Sequence, residues 1–265
     1  MAQGDTAPRV TVERDGHLLL LGLNRPDKRN AADFRMLQEL AAAYGELDRD
    51  PALRVGVVFA HGDHFTAGLD LADIGEHVGP DGIAFLPDGG LDPWQVAGTP
   101  VRKPVVLAVQ GICFTLGIEL ALASDVVVAA DTARFAQLEV ARGILPFGGA
   151  TLRFPRVAGW GAAMRWMLTG EEFDAAEAKR LRIVTEVVPH GTQLRRATEL
   201  AERIAAQAPL AVQATLANAR LARAAGDPAA AAELQPALMR LLGSEDARIG
   251  MQAFLERKPA EFRGR

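Results

Sequence analysis

The sequence predicts an α/β fold with a helical C-terminal region, on three observations. Short apolar runs, each closed by a turn residue, recur through the first two-thirds of the chain with helical patterns between them. From about residue 192 the pattern is helical to the end. At 265 residues the chain is near the size at which one hydrophobic core stops growing, so a single core with a helical appendage is favoured over two equal domains. The core is placed at 1–191 and the helical region, expected to cover the site and mediate assembly, at 192–265.

In chain order the strand-like runs are LLLLGLN (18–24), VGVVFAHG (55–62), VVLAVQG (105–111) and DVVVAAD (125–131). Val, Leu and Ala without polar alternation suit strands buried on both faces, as in parallel β-α units. The first long helix is expected within 31–50, where Phe34, Leu37, Leu40 or Ala41, Tyr44 and Leu47 recur at helical spacing before Pro51 closes it. Segment 75–100, with six Gly and four Pro in 26 residues, reads as a long irregular loop of the kind that often carries function. The tryptophans and Met164 around 160–167 read as helix core. ATELAERIAAQ, PLAVQATLANARLARAAG, DPAAAAELQPALMRLLG and SEDARIGMQAFLERK, separated by Pro and Gly, supply the final helices.

Composition removes several functions. With 29 Lys and Arg against 33 Asp and Glu the net charge is -4, which gives no field to hold a nucleic acid. The single Cys113 excludes an intramolecular disulfide and a Cys-rich zinc site, and reads as a packing residue. MAQGDTAPRV lacks the basic and apolar regions of a leader, and the apolar uncharged stretch from Pro104 to Ile118 is 15 residues, short of a membrane span. A cytoplasmic protein without membrane partners is expected. Ser124 and Ser244 are the only serines, and neither sits in a nucleophile elbow. His61 and His64 flank Asp63 in a polar turn without a third ligand, which favours a solvated turn over a metal site.

Three stretches carry chemistry. The first is Asn24-Arg25-Pro26-Asp27-Lys28-Arg29-Asn30-Ala31, the second His64-Phe65-Thr66-Ala67-Gly68-Leu69-Asp70-Leu71, and the third the block from Val109 to Gly159. In the second, Gly68 can take a conformation costly to other residues and expose the N–H of Leu69. In the third, Thr115-Leu116-Gly117 starts a helix whose first N–H groups have no internal partner. Glu119 falls in the first turn of that helix, and Glu139 follows the strand-like ARFAQL, so the two carboxylates can converge on one cleft. Taken singly, each Glu is equally well read as a helix-start residue stabilised by the macrodipole.

In this order, continued through LTGEEFDAAEAKRLRIVTEVVP and FLERKPAEF, the stretches resemble the crotonase (enoyl-CoA hydratase/isomerase) family over almost the whole chain. The resemblance implies a spiral of β-β-α units, with the amides of Leu69 and Leu116 as oxyanion donors and Glu119 and Glu139 as the two catalytic glutamates of the hydratase branch. Hydration of a 2-enoyl-CoA thioester is the activity it implies first, with fatty-acid metabolism as its setting. Double-bond isomerisation and acyl-CoA binding without catalysis are the alternatives. Coenzyme A would be part of the substrate, with no metal or redox cofactor. Lys28 and Arg29 are the candidates for its phosphates, the turn Ala67, Gly68, Asp70 and Leu71 for its adenine, and Lys258 is a weaker candidate reaching a neighbouring subunit. The resemblance also implies a homotrimer or a dimer of trimers. Two departures stand out. Phe114-Thr115-Leu116-Gly117 replaces a run of glycines, and Phe147 replaces a Gly beside the expected water, which favours isomerisation.

Overall fold

The apolar runs become strands of a six-stranded sheet because both of its faces are covered. The computed structural model describes residues 7–80 and 82–265; residues 1–6, part of the N-terminal stretch considered for a leader, and Asp81 lie outside the described residues. The chain begins with β1 (Val10–Asp15), β2 (Leu18–Leu23), α1 (Phe34–Arg49), β3 (Val55–Ala60), α2 (Leu71–Ile74), β4 (Val78–Gly79) and β5 (Gly82–Ile83). It continues through β6 (Val105–Val109), β7 (Ile112–Phe114), α3 (Leu116–Ala123), β8 (Val126–Ala130) and β9 (Arg134–Ala136). Next come α4 (Ala150–Ala158), α5 (Trp160–Thr169), β10 (Phe173–Asp174), α6 (Ala175–Arg180) and β11 (Glu186–Val188). The end is helical: α7 (Gln193–Ala205), α8 (Pro209–Ala225), α9 (Asp227–Leu242) and α10 (Glu245–Glu256).

The large sheet has the order β1-β2-β3-β6-β8-β11, parallel except for the β1/β2 hairpin at its edge. A second sheet, β10-β9-β7, takes the intervening strands, so β-β-α units feed two sheets alternately. Strand alternation then divides the apolar runs. Leu19, Leu21, Val58, Leu107 and Val109 enter the core with α1 and α3, whereas Leu18, Val55, Val57, Val106, Ala108 and Val128 meet α7. That helix presents Ala197, Ala201 and Ala205, small residues that let it lie close against the sheet.

Caps fix α1. The Asp33 carboxylate accepts the Met36 N–H at 2.9 Å at its start. At its end the buried Lys103 ammonium donates to the carbonyls of Leu47 and Asp50, where the helix dipole favours a cation.

Two expectations need correction. Trp160 is 73% exposed rather than core, since it opens α5 at the Gly159 break while the helix buries Ala163, Trp166 and Met167. The 75–100 loop also contains the β4/β5 hairpin within its otherwise irregular course.

Candidate active site

The site lies beyond the C-terminal ends of the parallel strands, where loops from several strands meet. After β3 the chain is held by Asn30, which is fully buried. Its side-chain amide donates to the carbonyls of His61 at 2.9 Å and His64 at 2.8 Å. Thr66 Oγ1 donates to the Asn30 carbonyl at 2.7 Å, and the Ala67 N–H donates to the Arg29 carbonyl at 2.9 Å. Gly68 follows at φ +102°, a backbone open mainly to glycine. Ala32 N–H then donates to the Gly68 carbonyl, and Asp70 N–H to the Ala32 carbonyl. This parallel bridge leaves the intervening Leu69 N–H pointing away from Ala32, without an acceptor among the described residues.

The second turn packs beside the first. Phe114 N–H donates to the Thr66 carbonyl at 3.0 Å, and Thr115 N–H to the Ala136 carbonyl at 2.8 Å. Thr115 is the N-cap of α3 with φ 48° and ψ -110°, and its Oγ1 is so close to Gly68 that a Cβ at position 68 would collide with it. Leu116 opens the helix, so its N–H has no intrahelical partner, and it donates to no other acceptor among the described residues.

One turn into α3, the Glu119 carboxylate is only 2% exposed and accepts the Ala150 N–H at 3.0 Å. Burial pushes its pKa up to about 7, the Ala150 N–H opposes this, and the charge of Glu139 adds to it. Gly148 lies against it, where a Cβ would come within 2.6 Å of Oε2. Glu139 heads the 3-10 turn Glu139–Arg142 and is raised chiefly by burial. Gln137 Nε2 donates to its Oε1 at 2.8 Å, while Oε2 is buried with no hydrogen-bond partner among the described residues.

Two joined cavities meet here. The smaller, about 200 Å³, is lined by Leu69, Thr115, Leu116, Glu119 and Glu139, with Ala67 at its edge. The larger, about 580 Å³, is walled by Leu37, Ile74, Val78, Ile83, Phe85 and Trp94. Leu69, Leu71, Leu116, Ile144 and Phe147 border both, so Phe147 faces the cavities and not the core. Among the described residues Asp92 is the one charged residue lining the larger cavity, and its oxygens are taken by the N–H groups of Trp94, Val96 and Ala97 at 2.8–2.9 Å. The Trp94 indole N–H donates to the Leu116 carbonyl at 3.0 Å. A still larger crevice, about 890 Å³ between the β1/β2 turn and the C-terminal tail, touches neither glutamate.

The residues singled out in the sequence divide into groups. Leu69, Leu116, Glu119, Glu139, Ala67 and Leu71 surround the small cavity. Gly68 shapes its rim, and the Asp70 carboxylate is engaged by Arg25 at 2.8 Å, which holds its pKa below the usual range. Lys28 and Arg29 are exposed, make no ion pair among the described residues, and reach the site through the Arg29 carbonyl bonded to Ala67. Lys258 pairs with Glu256 at 3.3 Å. His61 Nε2 meets Thr11 Oγ1 at 2.8 Å, and His64 Nδ1 accepts the Ile112 N–H at 3.3 Å, so both imidazoles brace loops. Cys113 is buried, and burial raises its thiol pKa. Gln137 and Trp94 escaped the sequence reading, because a lone polar residue in a strand-like run and a Trp in a Gly/Pro-rich loop carry no spacing signal.

The family model described as Enoyl-CoA hydratase/isomerase matches residues 13–265. The chain belongs to the crotonase family. A crystal structure of a probable enoyl-CoA hydratase/isomerase from Mycobacterium abscessus superposes with TM-score 0.94 at 56% identity, covering 97% of this chain and 99% of that one. An enoyl-CoA hydratase of Mycobacterium tuberculosis is 34% identical over the full length of both chains. A 2,3-dehydroadipyl-CoA hydratase of Escherichia coli is 34% identical over 97% of this chain and 99% of its own. The parallel sheet and the helices of this chain match those crotonase-fold neighbours.

Proposed function

We propose that this crotonase hydrates the 2,3 double bond of an acyl-CoA thioester. The supporting observation is that two acceptor-free amides and two buried carboxylates border one small cavity. A thioester oxygen seated between the N–H groups of Leu69 and Leu116 gains two fixed donors as enolate charge develops, each worth about 2.7–4 kcal/mol of barrier. Two close carboxyls titrate as a unit, one keeping its proton while the other is ionised. Glu119 takes a proton from water as its oxygen bonds to the β carbon, and Glu139 delivers a proton to the α carbon. The pair ends with its proton on the opposite carboxyl, and exchange with solvent resets it.

The phosphates of the coenzyme fall to Lys28 and Arg29, unpaired among the described residues, on the Ala67 side. The adenine then lies along Ala67, Gly68, Asp70 and Leu71. The acyl tail enters the 580 Å³ cavity, whose lining among the described residues has no free charge, so an uncharged tail fits it best. We further propose a cytoplasmic homotrimer, or a dimer of such trimers, with the exposed Met239, Met251, Phe254 and Leu255 of the last two helices toward a partner subunit. A place in fatty-acid metabolism follows from such a substrate. Phe147 supports isomerisation as the second reading, since its 45% exposed ring borders both cavities where a water would stand. Incubation with crotonyl-CoA, following loss of the conjugated-thioester absorbance, tests hydration. Conversion of 3-enoyl-CoA alone would select isomerisation, and tight binding without turnover would reject both.

A further inference from the structure

We propose that the Thr115 hydroxyl is a third hydrogen-bond donor to the thioester oxygen, supplementing the amides of Leu69 and Leu116. The inference rests on the enoyl-thioester reading above. Thr115 lines the small cavity together with both amide-bearing residues and both glutamates. Its Oγ1 lies against Gly68, the residue directly before Leu69, while Thr115 itself directly precedes Leu116. The hydroxyl therefore sits where the two donor turns touch. It makes no hydrogen bond to any described residue and is not fully buried, and Thr115 is part of the cavity lining. A hydroxyl can rotate its proton toward whichever acceptor arrives.

The backbone supplies an independent reason. Thr115 holds φ 48° and ψ -110°, and a β-branched residue at positive φ is an outlier. Glycine would take this conformation without strain, and it would leave Gly68 more room. Strain of this kind persists only where the surrounding structure over-determines a position, and it clusters at active sites. What threonine adds at this strained position is a methyl group and an unpaired hydroxyl facing the reacting atoms. The hydroxyl alone has chemistry that an enolate oxygen can use.

The experiment uses acetoacetyl-CoA, whose C2 proton, between two carbonyls, is lost to give an enolate with its own ultraviolet band. The bound enolate-to-keto ratio then reports oxyanion stabilisation without requiring turnover. Thr115→Val keeps the branched shape and removes the hydroxyl; Thr115→Ser keeps the hydroxyl. The Val variant is expected to lower the ratio at saturation about tenfold to a hundredfold, the range for losing a hydrogen bond to a charged group. Its kcat on the active enoyl-CoA is expected to fall by a similar factor with KM little changed, and the Ser variant should match wild type. Thr115→Gly, which relieves the backbone, should melt higher than wild type and share the Val defect, so it serves if Val does not fold. A wild-type ratio in the Val or Gly variant overturns the proposal, and so does an equal loss in Val and Ser, which would make the role one of shape. If wild type binds no acetoacetyl-CoA, the enoyl-thioester reading falls and the proposal with it, an outcome distinct from equal ratios.

Discussion

Replacing Glu119 by Gln is expected to stabilise the folded protein at alkaline pH and to change little near pH 4.5. Burial raises the Glu119 carboxyl from 4.5 to about 7 in the folded chain, while the unfolded chain keeps the ordinary value. Between those values the folded state holds a proton that the unfolded state has lost. Stability therefore falls as pH rises from about 4.5 to about 7, and the full penalty persists above that. At about 1.36 kcal/mol per pH unit the gap amounts to about 3 kcal/mol at pH 8, and little of it remains near pH 4.5. Gln has nearly the same shape, and its carbonyl can still accept the Ala150 N–H, yet it never ionises. Urea denaturation of both proteins, at one protein concentration across this pH range, should show the variant gaining on wild type as pH rises. A difference that stays constant with pH, or one that shrinks, would refute the claim that a buried carboxyl is forced to ionise there. The same variant should lose hydration more than isomerisation, because only hydration needs a second group on the water.

Glu139→Gln is expected to lower turnover by about 10²–10⁴ while acyl-CoA binding, measured by calorimetry, is retained. Lys28→Ala combined with Arg29→Ala should weaken CoA esters far more than pantetheine thioesters in equilibrium binding, since both cations are exposed beside the Ala67 turn; similar losses would move these residues away from the phosphates. Phe147→Gly should raise hydration relative to isomerisation of short enoyl-CoA substrates, because removing the ring frees volume between the two cavities. An unchanged ratio of the two rates would remove Phe147 from the water position.

The buried strands were legible because a parallel sheet covered on both faces needs continuous apolar runs, and β2, β3, β6 and β8 carry them. The edge strand β1 was not, since its residues from Val12 to Asp15 are exposed and it is specified by pairing with β2. The short β7, β9 and β10 have two or three residues each, too few for any period to register. In the site, Glu119, Glu139 and the two donor turns were named through the family resemblance, since helix-start chemistry alone reads each Glu equally well as structural. The Ala150 bond to Glu119 depends on distant chain segments meeting in space, whereas Gln137 lies two residues from Glu139 and its bond depends on the local course of the backbone. Trp160 shows the converse error: helical spacing marks an apolar position without showing whether anything packs over it.

The indole of Trp94 ties the wall of the larger cavity to the first residue of α3 through the Leu116 carbonyl. For the proposed hydration, tail contacts and carbonyl polarisation are therefore mechanically in series on this scaffold. On the proposed activity, a chain long enough to press on the Trp94 wall loads the helix that presents the Leu116 amide, so binding energy gathered far from the double bond can be spent on the barrier. Shortening the acyl group then reduces the rate at saturation as well as affinity, and tail length becomes a lever on catalysis itself.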